Sequence, residues 1–136
     1  MAQEDVEAAR DGFRALAEEG YEALLERAHP EFEMTTPVGL AAEPQTYRGR
    51  EGLRRWFTSF YEVMDDIRAE PETYEDLGDG RVLVVATLRA TGQRSGLETA
   101  QPSFMVITLA GELMRRIEFY PDPDSAREAA ANPGPG

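Results

Sequence analysis

The stretch Tyr47-Arg-Gly-Arg-Glu-Gly-Leu-Arg-Arg-Trp-Phe57, continued to Met64, carries the clearest secondary-structure signal in the chain. Its apolar positions recur at steps of three and four residues: Leu53, Trp56, Phe57, Phe60 and Met64. That spacing places them on one face of an α-helix and predicts that this face is buried. The patterns on either side of the stretch predict what the helix packs against.

Ahead of this stretch, the sequence predicts two helices and one strand. The first helix carries its apolar residues at helical spacing: Val6, Ala9, Phe13 and Leu16. A second short helix follows Gly20 and ends before Pro30, because proline disfavours helical backbone at the residue that precedes it. Residues 31–36 alternate weakly and predict a strand, and residues 37–45 predict a loop.

After the stretch, the sequence predicts a meander of antiparallel strands. Residues 67–77 are polar and contain Pro71, which is typical of an edge strand. Gly78-Asp-Gly80 is a hairpin turn signal. Three strands rich in apolar and β-branched residues follow: 81–90, 98–109 and 112–120.

The C-terminal residues predict a short helix over 126–130 and a disordered tail over 131–136. The order of all these elements predicts one α+β domain over residues 1–130. Its helices are expected to pack on one face of a curved, mostly antiparallel sheet. A chain of 136 residues is long enough for one such core.

The composition excludes several kinds of chemistry. The chain has no cysteine, a single histidine and no lysine, since all 14 lysine-plus-arginine positions are arginine. Thiolate, multi-histidine metal and Schiff-base sites are therefore excluded, and we expect neither a metal nor a cofactor. A net charge of −12 argues against nucleic acid and anionic membranes as partners. Without an apolar run of roughly 18 residues or a visible secretion signal, the predicted location is the cytoplasm.

Three segments in this order resemble the nuclear transport factor 2-like superfamily, in particular its SnoaL-like polyketide cyclase and ketosteroid isomerase branches. They are Tyr47 to Phe57, the strand–turn–strand from Phe104 to Tyr120, and Asp122-Pro-Asp-Ser-Ala-Arg-Glu-Ala129. The resemblance implies a cone-shaped α+β barrel, in which a strongly bent sheet and the N-terminal helices enclose an apolar pocket. It also implies a homodimer formed through the outer face of the sheet.

On that fold, alternate residues of each strand face the pocket. The resemblance implies that Glu118 faces inward on the last strand, together with Met114, Arg116 and Tyr120. On the preceding strands it implies two inward rows: Ala100, Pro102, Phe104, Val106 and Thr108, and Val82, Val84, Ala86, Leu88 and Ala90. The expected substrate-binding residues are Phe13, Glu33, Thr36, Trp56, Phe60, Val84, Ala86, Leu88 and Phe104.

Glu118 is the best candidate for a catalytic group, because a carboxylate inside an apolar cone has a raised pKa that suits acid–base work. Arg116 could hold it ionised or bind an anionic substrate, and Tyr120 could donate to a developing oxyanion. The alternative is that Arg116 and Glu118 form an outward-facing ion pair. Charged residues on strands are mostly solvated, which favours that alternative.

Two catalytic patterns of the superfamily are incomplete in this sequence. Thr36 stands where ketosteroid isomerases carry their catalytic aspartate, and a hydroxyl is a far weaker base. Ala86 and Leu88 stand at two positions of the Asp-Arg-Asp set of limonene-epoxide-hydrolase-like members. Glu33 faces either the pocket or solvent. The single histidine, His29, is interpreted as the end of the second helix.

Three functions are left open by the sequence. The first is cofactor-independent acid–base catalysis of isomerase, cyclase or hydrolase type on a small neutral molecule, with Glu118 as acid or base. The second is a binding module that holds a small apolar molecule without changing it. The third is a structural dimer with a vestigial pocket.

Overall fold

The structure is a computed structural model that describes residues 2–36 and 45–131 of the chain, with side chains for 3–35 and 46–131. This part of the chain contains four helices and six strands. The helices are α1 (Ala2–Glu19), α2 (Tyr21–Glu26), α3 (Gly49–Tyr61) and α4 (Pro123–Ala131). The strands are β1 (Ala28–Thr36), β2 (Gln45–Arg48), β3 (Met64–Gly78), β4 (Arg81–Gly92), β5 (Glu98–Ala110) and β6 (Leu113–Tyr120).

All six strands join one sheet in the order β2-β1-β6-β5-β4-β3. The β1–β6 pair is parallel and every other pair is antiparallel. Among the described strands, β2 and β3 form the two edges and do not pair with each other, so the sheet stays open. The prediction of an α+β domain with N-terminal helices on a mostly antiparallel sheet is confirmed.

The main core lies between α1, α2 and α3 and one face of the sheet, which we term the inner face. Helix α3 begins at Gly49 and buries Leu53 and Phe57, as its spacing predicts. Phe32 and Met34 of β1 are both almost completely buried in the same core. The helices therefore cover the inner face over most of its length.

A β-bulge in β6 decides which residues face inward. Leu109 pairs with Met114, whereas Thr108 pairs with Arg116, so β6 carries one extra residue at Arg115. The extra residue reverses the alternation of side chains along the strand. Met114 and Ile117 consequently both belong to the main core, although they are three residues apart.

Helix α4 covers part of the opposite face of the sheet, the outer face. Ala126 of α4 is fully buried against Leu83 and Val106, and Tyr120 packs at the edge of this small cluster. The Arg127 guanidinium donates hydrogen bonds of 2.8–3.1 Å to the Glu75 carboxylate on β3. These contacts attach the C-terminal helix to the four strands β3, β4, β5 and β6.

We expect Arg127→Gln to lower the free energy of unfolding only slightly at pH 7, because both side chains are partly exposed and solvent screens the pair. The Arg127 hydrogen bonds hold the pKa of Glu75 below its ordinary value. A lowered folded-state pKa stabilises the fold above the unfolded-state pKa, and the stabilisation is lost as the pH falls through the folded-state pKa. Urea titrations at pH 7 and at about pH 3 should therefore show a smaller effect in acid.

A double-mutant cycle with Glu75→Gln isolates this pair from the neighbouring bond between Arg127 and Asp124. A coupling free energy that is the same at both pH values would contradict the assignment.

Tertiary pairing shifts the predicted boundaries near residue 30. Helix α2 ends at Glu26, and β1 already begins at Ala28, because Ala28 pairs with Met114 of β6. The interpretation of His29 as a helix end is therefore wrong, and its Nδ1 accepts a hydrogen bond from the Glu31 N–H at 2.9 Å. Pro30 is tolerated in the strand because the register shifts there.

Two further predictions concern residues at the ends of the described ranges. Residue 45, predicted as loop, begins the unpredicted strand β2, and residues 37–44 lie outside the described residues. Of the predicted tail over 131–136, Ala131 is the last residue of α4. Residues 132–136 lie outside the described residues.

Candidate functional site

A cavity of about 310 Å³ lies between the helices and the inner face of the sheet. The helices contribute mainly aromatic and aliphatic side chains: Ala9, Phe13, Leu16, Leu24, Leu53, Trp56, Phe57, Phe60 and Tyr61. The sheet contributes a second apolar wall: Met34, Met64, Ile67, Ala69, Leu88, Ala90, Met105, Ile107, Met114, Ile117 and Phe119. An apolar cavity of this volume is typical of small-molecule sites.

The cavity opens at one end, which we term the mouth. Along α3, the exposed fraction rises from 1% at Leu53 to 41% at Tyr61. Along β5, it rises in the same direction, from buried Ile107 to exposed Thr99. The mouth therefore lies between the end of α3, the start of β3 and the connection between β4 and β5.

Few polar side-chain groups belong to the cavity wall. Gln101 lies opposite Leu88 on the inner face, close to the mouth. Thr99 also lines the wall, but its hydroxyl donates to the Ala90 carbonyl at 3.2 Å. The indole Nε1 of Trp56 is buried and donates to no acceptor among the described residues. Gln101 is thus the polar side chain best placed to contact a ligand near the mouth.

Two arginines reach the wall of the cavity from the strands, but their charges are engaged elsewhere. Arg68 pairs with Arg89, whereas the neighbouring pair, Ala69 with Leu88, faces the cavity. The Arg89 guanidinium is hydrogen-bonded to Glu70, and this bond lowers the pKa of the Glu70 carboxyl. Glu98 lies 3.7 Å from Arg68 and 3.9 Å from Arg89. Both positive charges are therefore matched by carboxylates on the outer face.

Four of the predicted substrate-binding residues line the cavity: Phe13, Trp56, Phe60 and Leu88. The ring of Trp56 packs edge-on against Phe57 and Phe60, with centroids 4.9 Å apart in each pair. Val84 and Ala86 lie on the inner face as well, but they are completely buried in the core. The alternation predicted for β4 thus has the correct phase.

The predicted alternation of β5 and β6 has the wrong phase. Phe104 pairs with Tyr120 and Val106 with Glu118, and these pairs lie on the outer face. Glu118, Arg116 and Tyr120 consequently do not line the cavity, and neither does Phe104. In β6, the physical reason is the extra residue at Arg115, which reverses the alternation that relates Glu118 to Met114. In β5, the phase is set by the regular pairing with β4, in which the inward-facing Ala86 lies opposite Ser103 and not opposite Phe104.

The outer-face environment gives these polar residues a different set of contacts. The Tyr120 hydroxyl donates to the Glu118 carboxylate at 3.2 Å. Burial beside α4 raises the pKa of Tyr120, and the neighbouring Glu118 charge raises it further. Arg116 is exposed and lies opposite Glu33 of β1 in the register. These three side chains lie on the outer face and do not line the cavity.

Glu33 also lies away from the cavity. Phe32 and Met34, its neighbours on β1, face the core, so Glu33 faces the other side of the sheet. Its carboxylate lies 3.7 Å from the Arg48 Nε of β2. Thr36 is the last residue of β1, and its side chain lies outside the described residues.

The cavity residues that occupy the other row of β5 and β6 are not among those predicted from the sequence: Thr99, Gln101, Met105, Ile107, Ile117 and Phe119. Apolar residues occupy both rows of β5, so composition alone does not select the phase. The sequence pattern of β6 does indicate the inward row, because Ile117 and Phe119 are more apolar than Arg116 and Glu118. An inward row that holds the apolar pair is favoured by burial free energy.

The described residues contain no group of three or more His, Cys, Asp or Glu side chains that could hold a metal ion. Within the same ranges, no Asp, Glu or His belongs to the cavity wall. No described helix is long and apolar enough to cross a membrane.

The open sheet, the helices on its inner face and the cavity between them define an NTF2-like α+β cone domain. The chain belongs to the SnoaL-like domain family, whose sequence profile matches residues 9–117. None of the curated proteins matches the sequence of this chain.

Solved structures with the same fold share little sequence with this chain. An NTF2-like protein from Burkholderia pseudomallei is 16% identical, with 92% of this chain and 95% of that chain covered and a TM-score of 0.75. TerC, co-crystallised with polyporic acid, is 22% identical, with 94% and 98% covered and a TM-score of 0.74. A protein of ketosteroid isomerase-like fold from Catenulispora acidiphila, in complex with trimethylamine, is 16% identical, with 88% of each chain covered and a TM-score of 0.73. These similarities show the fold alone.

Proposed function

We propose that this protein binds a small, neutral and mostly apolar molecule in the cavity between α1, α3 and the inner face of the sheet. The observation that carries the proposal is a cavity of about 310 Å³ whose wall is aromatic and aliphatic and reaches solvent at one end. Removing an apolar ligand from water into such a site is favourable by roughly 25 cal/mol per Å² of ligand surface.

The charges around the cavity favour a neutral ligand over an anion. Arg68 and Arg89 are the cationic residues of the described wall, and each already lies beside a carboxylate. The whole chain carries a net charge of −12, which repels anions at long range. An anionic ligand would have to compete with Glu70 and Glu98 for these two guanidinium groups.

Two proteins of the same fold support a ligand-binding role. TerC was co-crystallised with polyporic acid, and the Catenulispora acidiphila protein is in complex with trimethylamine. Both compounds are small organic molecules, and both proteins share the fold over most of this chain. These two structures support small-molecule binding by this fold, and the chemical identity of the ligand is argued from the residues of this cavity.

Acid–base catalysis is not part of the proposal. The predicted catalytic group of Glu118, Arg116 and Tyr120 lies on the outer face, where it cannot reach a molecule in the cavity. The described wall offers hydrogen-bonding groups and apolar surface, but no carboxylate or imidazole that could move a proton. Binding without turnover is the function that this arrangement supports best.

Trp56 is the only tryptophan in the chain and lines the cavity, so its fluorescence reports on occupancy. We expect methyl hexyl ketone to change the emission of Trp56 in a saturable manner. Octanoate, which has the same number of carbons and a negative charge, should bind at least about ten-fold more weakly, a difference of about 1.4 kcal/mol. Isothermal titration calorimetry provides the second measurement of both affinities.

Two outcomes would contradict the proposal. Octanoate that binds as tightly as the ketone would show that the site takes anions. The absence of saturable binding by either compound, in both fluorescence and calorimetry, would show that the cavity does not accept apolar molecules of this size.

The homodimer and the cytoplasmic location stay predictions. Sedimentation equilibrium should give a mass of twice 15.1 kDa if the dimer forms. A mass of 15.1 kDa at micromolar concentration would contradict it.

A further inference from the structure

The inner face of the sheet continues beyond the cavity to an exposed leucine. Leu97 precedes β5 and is 68% exposed, the highest value among the large apolar residues of the described chain. The Gly92 N–H donates to the Leu97 carbonyl at 3.0 Å, which extends the β4–β5 pairing by one position. Leu97 therefore falls in the same row as Thr99 and Gln101, both of which line the cavity.

Tyr61 flanks the mouth from the helix side. It lines the cavity and is also 41% exposed, so its ring spans the border between cavity and solvent. We term Tyr61 and Leu97 together the lip. The lip places apolar surface farther out than Thr99 and Gln101, whereas the aromatic and aliphatic part of the wall lies deeper than these two residues.

Gln93 holds the two sides of the lip in place. Its backbone N–H donates to the Val63 carbonyl at 3.1 Å. Its side-chain Nε2 donates to the Tyr61 carbonyl at 2.9 Å and to Asp65 Oδ1 at 3.2 Å. These three bonds join the β4–β5 connection to the corner between α3 and β3. The mouth is thus fixed before any ligand arrives, which lowers the entropic cost of binding there.

We infer that the lip binds a second apolar portion of the ligand, which projects from the cavity past Gln101. This inference rests on the proposed binding function and specifies its ligand class. The ligand is an elongated molecule with an apolar group at each end and a neutral hydrogen-bonding group between them. One end fills the cavity, the middle group contacts the Gln101 amide, and the other end covers Leu97.

Two features of the described residues support this order of groups. The Gln101 amide has no hydrogen-bond partner among them, so it is free to pair with a carbonyl or hydroxyl of the ligand. Outward from Gln101, this row of side chains continues through Thr99 and ends at Leu97, which is aliphatic and not charged. An exposed leucine of this kind gains free energy when an apolar group covers it.

Two ketones test the inference, since they share one hexyl arm and differ in the second. Methyl hexyl ketone has a single long arm, whereas dihexyl ketone has a second arm that is able to reach Leu97. Each methylene that leaves water completely improves the affinity by up to about four-fold. We expect Leu97→Ser to weaken dihexyl ketone by at least about five-fold and to leave methyl hexyl ketone within two-fold, measured by Trp56 fluorescence.

Two further variants serve as controls. Leu97→Met keeps an apolar side chain and should retain the affinity for dihexyl ketone. Val63→Thr changes an equally apolar residue at the same end, which is 60% exposed and does not belong to the described cavity wall. This variant should leave both affinities unchanged. Thermal unfolding checks that every variant remains folded.

The outcomes separate this inference from the function on which it rests. If neither ketone binds to the unmodified protein, the proposed function fails. If both ketones bind and Leu97→Ser affects them equally, the inference about the lip fails and the proposed function stands. If Leu97→Ser leaves both affinities unchanged but lowers the mass in sedimentation, Leu97 contacts a second copy of the chain, and the inference also fails.

Discussion

Replacing Ala90 by phenylalanine is expected to weaken the binding of methyl hexyl ketone by at least about a hundred-fold, or about 2.7 kcal/mol. Ala90 lies opposite Thr99 on the inner face, and both residues line the cavity near its mouth. A phenyl ring at this position occupies the space through which the ligand passes and part of the space that it fills. Ala90 is only half-buried, so the larger side chain is accommodated without overpacking the core.

Ala100→Phe is the matched control for this variant. Ala100 lies one residue after Thr99 on the same strand, pairs with Arg89, and is exposed on the outer face. The control adds the same ring to the other side of the sheet and should leave the affinity within about two-fold. Equal losses of affinity in both variants, or no loss in Ala90→Phe, would contradict the assignment of the binding site to the cavity.

Replacing Phe32 by alanine is expected to lower the free energy of unfolding by about 3–5 kcal/mol. Phe32 is 0% exposed and packs in the main core between the sheet and the helices. The variant loses the burial of a phenyl ring and leaves a void that the surrounding side chains fill only partly. Urea unfolding followed by circular dichroism measures the change against a total stability of about 5–15 kcal/mol.

Leu97→Ala provides the comparison at an exposed position. This side chain is 68% exposed, so its truncation should change the free energy of unfolding by no more than about 0.5 kcal/mol. Phe32→Ala could leave too little stability for a complete unfolding curve. Phe32→Leu then gives a measurable loss, and a loss below about 0.5 kcal/mol in Phe32→Leu would refute the placement of Phe32 at the centre of the core.

The cavity residues on the helices can be predicted from the sequence more directly than the cavity residues on the sheet. Phe13, Trp56 and Phe60 are predicted pocket residues, and all three line the cavity. The period of an α-helix is intrinsic to its backbone, so an apolar stripe read from the sequence falls on one real face. Gln101 could not be identified in this way, because both rows of β5 hold apolar residues and the choice between the two faces depends on the neighbouring strands.

The prediction for β6 shows how a single residue can reverse a site. Glu118 shares a face with Met114 only if the strand is regular between them, and the extra residue at Arg115 breaks that regularity. The bulge arises where β6 pairs with β5 and, at the same time, with β1 in parallel. That parallel pair joins residues more than eighty positions apart in the chain, such as Ala28 and Met114. No local sequence pattern predicts this pairing.

By itself, the sequence determined the class of fold, the apolar face of α3 and the exclusion of thiol, lysine and multi-histidine chemistry. Each of these depends on composition or on the local periodicity of a single element. Only the tertiary structure decided that Glu118 lies outside the cavity and that Gln101 and Leu97 lie along its open end. Those placements depend on the strand register, which is set by pairing between residues that lie far apart in the sequence. A shift of one residue in that register exchanges the two faces of a strand.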